Sequence, residues 1–128
     1  MGKTVLITGG TGFLGRYLIN RISENYRTII LYRNASNLDE FKKMKVKNSS
    51  FVPIKSEFKE VENCFKQENI SIIIHLATDY GRDGDCERVK RSNIDFPIKL
   101  FELGKKNGLE CFCIVSAQTL QSLILMLI

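Results

Sequence analysis

Short apolar runs and helical patterns take turns along this chain. Thr4 to Thr8 (TVLIT) is β-branched and apolar on both faces, the composition of a strand buried inside a parallel sheet. Phe13 to Glu24 then sets Leu14, Leu18 and Ile22 four residues apart, a stripe down one side of a helix. Thr28 to Tyr32 (TIILY) reads as a second strand. Ser50 to Ile54 (SFVPI) reads as a third, and Pro53, which has no N–H to donate to a ladder, argues for the sheet edge. Glu57 to Glu68 fits a helix with Val61 and Phe65 on one side, and Ile70 to Ala77 (ISIIIHLA) is the strongest strand signal in the chain. Ile94 to Lys106 predicts a helix that carries Ile94, Ile98, Leu100 and Phe101 toward a core and stops before Gly108. Glu110 to Ser116 (ECFCIVS) reads as a fifth strand.

Strands alternating with helices imply right-handed crossovers. The expected fold is therefore α/β, a doubly wound parallel sheet of about five strands with helices on both faces. Residues 1–116 form the expected domain, and 117–128 are an apolar tail. Arg33 to Asn37 and Asp79 to Asp85 fall at strand ends, where functional loops sit.

Composition narrows the partners. The chain has 128 residues, 44% apolar and 26% charged, which suits one soluble domain, and its net charge of +5 favours anionic ligands in general. No aromatic platform or recognition motif accompanies that charge, so no nucleic-acid partner is expected. The basic runs Lys42 to Asn48 and Glu87 to Ser92 read as solvated faces rather than a dedicated anion patch. Cys64, Cys86, Cys111 and Cys113 make no CxxC, and His75 is the single histidine, so neither a metal site nor a disulfide framework is expected and a reducing cytoplasm is the default. No run approaches the roughly 18 apolar residues of a membrane span, and no membrane partner is expected.

The strongest chemical signal lies between the first strand and its helix. Gly9, Gly12 and Gly15 follow a GxxGxxG spacing within "ITGGTGFLG". In that setting Gly9 allows the tight turn, Gly12 lets backbone approach a pyrophosphate, and Gly15 permits close packing of the helix. The helix-start N–H groups then face the anion. The candidate phosphate cradle is Gly9, Gly10, Thr11, Gly12, Phe13, Leu14 and Gly15.

TGGTGFLG resembles the TGxxGFxG fingerprint of the extended short-chain dehydrogenases/reductases, the NAD-dependent epimerase/dehydratase family acting mostly on nucleotide sugars. Ile72 to Thr78 (IIIHLAT) is similar to that family's VIHLAA at the end of strand four, and Ser92 to Ser116 is similar to its NxxGTxNLLExAxxxGVKxFVxxSS segment. The motifs come in the family's order and spacing and cover nearly all of the chain to Ser116. HLATDYG is most similar to members that make deoxysugar nucleotides. The resemblance implies a Rossmann-type domain that binds a nicotinamide dinucleotide. It also implies contacts from Glu57 and Phe58 near the adenine, from Leu76, Ala77 and Thr78 along the ribose, and a buttressing role for Asn93. His75 is assigned no chemistry.

Strand two ends in Tyr32-Arg33-Asn34, with no acidic residue before Asp39. A carboxylate there would hold an adenosine 2′-OH, whereas a cation accepts a 2′-phosphate. Arg33, which can fork onto a phosphate, with Asn34 as a neutral donor, makes NADP the preferred cofactor over NAD. The competing reading of Arg33 is a solvated arginine indifferent to that phosphate.

The family's chemistry needs a Tyr with a Lys four residues later, because an unperturbed phenol titrates near 10 and an adjacent ammonium must bring it down. After Ser116 the chain reads AQTLQSLILMLI, with neither Tyr nor Lys. Counting from Asn93, the catalytic hydroxyl should fall at Ala117; a one-residue shift restores Ser116 as the candidate. Leu120, Leu123, Ile124 and Leu127 recur at helical spacing, so the tail is open to two readings: a short helix over the sheet, or sequence unrelated to the family, as a truncation or frameshift would leave. The latter is favoured, since the usual sixth strand is also missing.

The expected function is thus the N-terminal, dinucleotide-binding part of a nucleotide-sugar epimerase, dehydratase or reductase, itself inactive, with a nucleotide sugar as the parent's substrate and a homodimer as a possible assembly. The alternative is a non-catalytic NADP(H)-sensing module that regulates a protein partner.

Overall fold

The computed structural model describes residues 2–33, 39, 46–55 and 58–115, together with the backbone of 123–127. Six strands form one sheet: β1 (Thr4–Thr8), β2 (Arg27–Tyr32), β3 (Ser49–Pro53), β4 (Ile70–His75), β5 (Cys111–Val115) and β6 (Leu123–Leu127), in the order β3-β2-β1-β4-β5-β6. β1 to β5 are mutually parallel, as alternation with helices requires. β1 is central and all five of its residues are buried. β3 is the edge strand, and Pro53 sits at its end, where a missing N–H costs no ladder bond.

The helices are α1 (Phe13–Ser23), α2 (Lys59–Gln67), α3 (Cys86–Lys90) and α4 (Phe96–Lys106), with a π-helical turn over Arg91–Asp95 joining the last two. Val5 and Ile7 face α1 and pack with Ile19 and Ile30. Leu6, between them, faces the opposite way into the larger core, with Val61 and Phe65 of α2, Phe96 and Leu100 of α4, and Ile73 and Phe112 of the sheet. A period-two strand thereby feeds two helical layers.

Three expectations need correction. The fully buried line of α1 is Gly15, Ile19 and Ser23; of the expected stripe of Leu14, Leu18 and Ile22, Ile22 packs partly buried against the same core. Small residues at two positions of the fully buried line let the helix approach the sheet closely, while Leu14 is 44% exposed. Helical structure after β4 starts at Cys86 rather than Ile94, capped by the Asp85 carboxylate, which accepts from the Arg88 N–H at 3.1 Å. Ile94 and Ile98 are then 51% and 52% exposed, because the π turn rotates the helix so that Phe96 and Leu100 face the core. Pro97, which cannot donate an N–H, follows directly after that turn and its Phe96 neighbour.

The third correction is the tail. It forms a strand, not a helix, and the missing sixth strand has an antiparallel replacement: β6 pairs with β5 from Cys111 opposite Leu127 to Val115 opposite Leu123. An unbroken apolar run fits either period, and β5 supplies a row of N–H and C=O groups that a strand can satisfy and a helix cannot. Helix α4 ends as expected: Gly108 has φ +77°, and the Leu109 N–H donates to the Gly104 carbonyl at 2.9 Å.

His75 is packed rather than exposed, at 3% accessibility, and its Nδ1 shares a 2.6 Å hydrogen bond with Thr8 Oγ1 across the β1–β4 pair. Burial first, and the nearby Arg33 charge second, push its pKa down to about 4.

Gly15→Ala should destabilise the fold by about 2 kcal/mol, since a β-carbon there would lie 2.4 Å from the Gly10 carbonyl oxygen; urea unfolding at pH 7.5 measures it. The His75 shift predicts a pH dependence of definite sign. Below the unfolded value of 6.5 the unfolded chain takes up a proton that the folded chain refuses, so stability falls between pH 6.5 and about 4 and levels off below. The full effect is about 3 kcal/mol, and the loss between pH 7.5 and 4.5, read by urea unfolding, should shrink sharply in His75→Gln.

Candidate functional site

The carboxyl ends of β1, β2, β4 and β5 open on a cleft of about 1030 Å³. It lies where the strand order reverses between β1 and β4, the place where open α/β sheets take ligands. Its floor is the turn from β1 into α1. Gly9 adopts φ +66°, and a β-carbon there would lie 2.5 Å from the Ala77 nitrogen, so the turn and the end of β4 touch backbone to backbone. Gly12 stands at the N-cap in extended conformation. No side chain caps the helix and no acidic residue occupies its first turn. The first N–H groups of α1 therefore keep their hydrogen-bonding capacity and their positive dipole end toward the cleft.

Of the residues proposed for a cradle, Gly9, Thr11, Gly12, Phe13, Leu14 and Gly15 line the cleft. Gly10 does not; it is buried beneath the turn, where a β-carbon would lie 2.8 Å from Ile30 Cγ2 and 2.9 Å from Ile19 Cδ1. Gly15 faces Gly10, so the close contact it permits is with the turn itself rather than with a strand. Around Gly12, by contrast, the nearest atom to a β-carbon is the Gly9 oxygen at 3.4 Å, an unstrained distance.

Leu76, Ala77 and Thr78 line the wall after β4, and Arg33 lines the wall after β2. The Arg33 guanidinium lies 5.1 Å from the centre of the Phe96 ring. Phe58 lies outside the main cleft. It borders an adjoining side pocket and meets Phe96 edge-on at 5.8 Å. Asn93 does not line the cleft either. From the π turn its Oδ1 accepts the Asp79 N–H at 2.9 Å, while its Nδ2 donates to the Asp79 carbonyl at 2.8 Å, a two-point clamp on the loop after β4. Asn34, Glu57 and Ser116 lie outside the described residues.

Two features escaped the sequence reading. Arg88 forks onto two carboxylates: its Nε donates to Asp79 Oδ2 at 2.5 Å and its Nη2 to Asp83 Oδ1 at 2.8 Å. These charge-assisted bonds hold Asp79 below its ordinary pKa and Asp83 at about 2, and they fix the loop over 79–85 along the cleft rim. The second feature is Phe96, whose ring neighbours Arg33, Phe58 and, at 6.0 Å, His75. Asp-rich loop sequence hinted at the first. Nothing local hinted at the second.

Among the described residues no helix is long and apolar enough to cross a membrane, and no group of three or more His, Cys, Asp or Glu is arranged to hold a metal ion.

Comparison with known proteins agrees with this geometry. CDP-abequose synthase of Salmonella muenchen is 28% identical over 109 residues, 80% of this chain and 33% of that protein. dTDP-4-dehydro-6-deoxyglucose reductase of Escherichia coli is 28% identical over 111 residues, 78% of this chain and 35% of its own length. A decarboxylating sterol-4-alpha-carboxylate 3-dehydrogenase of Dictyostelium discoideum is 25% identical over 122 residues, 91% of this chain and 36% of its own. The chain thus spans about a third of the length of these curated relatives. Among solved structures, the epimerase Mth375 of Methanothermobacter thermautotrophicus superimposes with a TM-score of 0.78 at 27% identity, over 91% of this chain and 36% of that one. The sequence profile of the NAD dependent epimerase/dehydratase family matches residues 5–121, ending just short of β6. Strand order, glycine turn and this match coincide, and the chain belongs to the NAD dependent epimerase/dehydratase family.

Proposed function

We propose that these 128 residues bind a nicotinamide dinucleotide in the cleft, with its diphosphate against the β1–α1 turn, and that the whole protein exchanges hydride with a carbon of a nucleotide-linked sugar. The observation that carries the reading is the uncapped N-terminus of α1, opened toward the cleft by Gly9 at φ +66°. The cradle fits the group. Gly12 lines the cleft with no side chain of its own, and an added β-carbon would meet the fold only at the Gly9 oxygen, 3.4 Å away.

Each element then has a part in the binding. Thr11, Phe13 and Leu14 offer backbone at the diphosphate, the Gly12 N–H being taken by the Gly9 carbonyl at 3.1 Å; Leu76, Ala77 and Thr78 form an uncharged wall for a ribose and base; Arg33 addresses the adenosine end. When bound, the dinucleotide supplies a hydride donor or acceptor at its nicotinamide. The residues described here hold and orient it and shield it from water on the β4 side. His75, buried and kept neutral at physiological pH, is a structural partner of Thr8 and not a proton carrier for substrate. Neither Tyr nor Lys follows Ser116 within the 128 residues, so we expect them to bind cofactor without turning over a sugar. The names of the Salmonella and Escherichia relatives, both nucleotide-linked sugar enzymes, support a nucleotide sugar as the parent's substrate. NADP is preferred over NAD, because the end of β2 carries Arg33 where a carboxylate would otherwise hold a 2′-OH.

Gly12→Ala separates binding from folding. Its β-carbon meets only the Gly9 oxygen at 3.4 Å, so thermal stability should stay near wild type, while affinity for NADPH and NADH alike should drop by about tenfold or more, measured by fluorescence titration. Unchanged affinity would remove the diphosphate from this turn. Wild type should bind NADPH more tightly than NADH, and Arg33→Ala should cut that preference by about tenfold with little effect on NADH. Equal affinities in the wild-type chain would overturn the preference.

A further inference from the structure

Beside the cleft lies a second pocket of about 320 Å³, separated from it by Arg33 and Phe96, which border both. Its charge is one-sided. Arg33 after β2, Lys55 after β3, and Arg91 and Lys99 on the helix after β4 converge there from three parts of the chain, against the single carboxylate of Asp95 among the described residues that line it. Arg88 also borders the pocket, but its charge is already met by Asp79 and Asp83, so it adds little attraction for a ligand. Among the described residues no ion pair involves Lys55, Arg91 or Lys99. The sequence alone presents Lys55, Arg91 and Lys99 as scattered surface charge; the fold gathers them around one concavity.

Four cations round a small pocket disfavour a neutral occupant and suit a phosphomonoester dianion. The position tells where such a group would come from. A dinucleotide with its diphosphate on the β1–α1 turn runs its adenosine toward the end of β2, and Arg33, held against the Phe96 ring, stands at the doorway between cleft and pocket. We infer that this side pocket receives the phosphoryl group carried at the adenosine end of the dinucleotide. Choice between NADP and NAD is then set by Lys55, Arg91 and Lys99 together with Arg33, and not by the end of β2 alone. The inference rests on the reading of the cleft as a dinucleotide site.

The test uses the 128-residue chain and four probes: NADPH, NADH, 2′,5′-ADP and inorganic phosphate. Arg91 and Lys99 are exposed, so Arg91→Ala/Lys99→Ala should fold normally, checked by thermal melting. It should weaken NADPH and 2′,5′-ADP by about tenfold while leaving NADH within about twofold, and rising salt should erode the NADPH preference of wild type. Lys55→Ala, on a different element, should give the same selective loss and guards against a fold defect in the first variant. Parallel losses of NADPH and NADH, or no loss in either variant, overturn the inference while leaving the cleft as the dinucleotide site. If wild type binds neither dinucleotide, both readings fall. If the variants lose inorganic phosphate and 2′,5′-ADP while both dinucleotides bind unchanged, the pocket serves a free phosphate ester and the assignment to the cofactor is wrong.

Discussion

The structure depends on one close approach. Where β1 ends and β4 ends, the chain brings Gly9 against Ala77 with no room for a β-carbon, and immediately behind that contact Gly15 of α1 rests on Gly10 with equally little room. Each of these contacts is between backbones, so neither can be relaxed by moving a side chain. Together they dictate where α1 begins, how steeply it leaves the sheet, and that its first N–H groups look across the crevice where strand order reverses. A helix displaced outward by one methyl group would keep its amphipathic packing and lose its aim.

The opposite wall is built by different means. The loop after β4 has φ-positive glycines at Gly81 and Gly84 and would be free to sample many shapes without side-chain ties. Asn93 ties its backbone at Asp79, and Arg88 ties its carboxylates at Asp79 and Asp83. Both tying residues come from the helical segment that follows, and the π turn between α3 and α4 places Asn93 beneath the loop while turning Phe96 toward Arg33, Phe58 and His75. One irregular turn thus organises the loop, the aromatic centre and the partition between cleft and side pocket. Such turns are frequent where helices border functional sites.

The expected strands β1 to β5 agree with the observed ones to within one or two residues, because a parallel sheet buried on both faces demands near-continuous β-branched runs, and those are visible without any tertiary knowledge. The glycine turn was equally legible, since the need for a positive φ at Gly9 and for open backbone at Gly12 is written in residue type. What misled were apolar positions on helices. Leu14, Ile94 and Ile98 looked like core residues by spacing and are 44 to 52% exposed. Spacing gives the period of a helix but not its phase about the axis, and here the phase was set by two small residues, Gly15 and Ser23, and by the π turn.

By itself, then, the amino-acid sequence determined the strand–helix alternation, the parallel core, the edge position of Pro53 and the glycine-rich turn at Gly9 to Gly15, because each follows from the stereochemistry of residues adjacent in the chain. The tertiary structure alone decided that Thr8 meets His75, that Arg88 closes on Asp79 and Asp83, that Lys55, Arg91 and Lys99 face one pocket, and that the tail joins β5 as a strand. Those outcomes depend on distances between residues far apart in the chain, and on unpaired backbone groups at a sheet edge, neither of which any local pattern of side chains encodes.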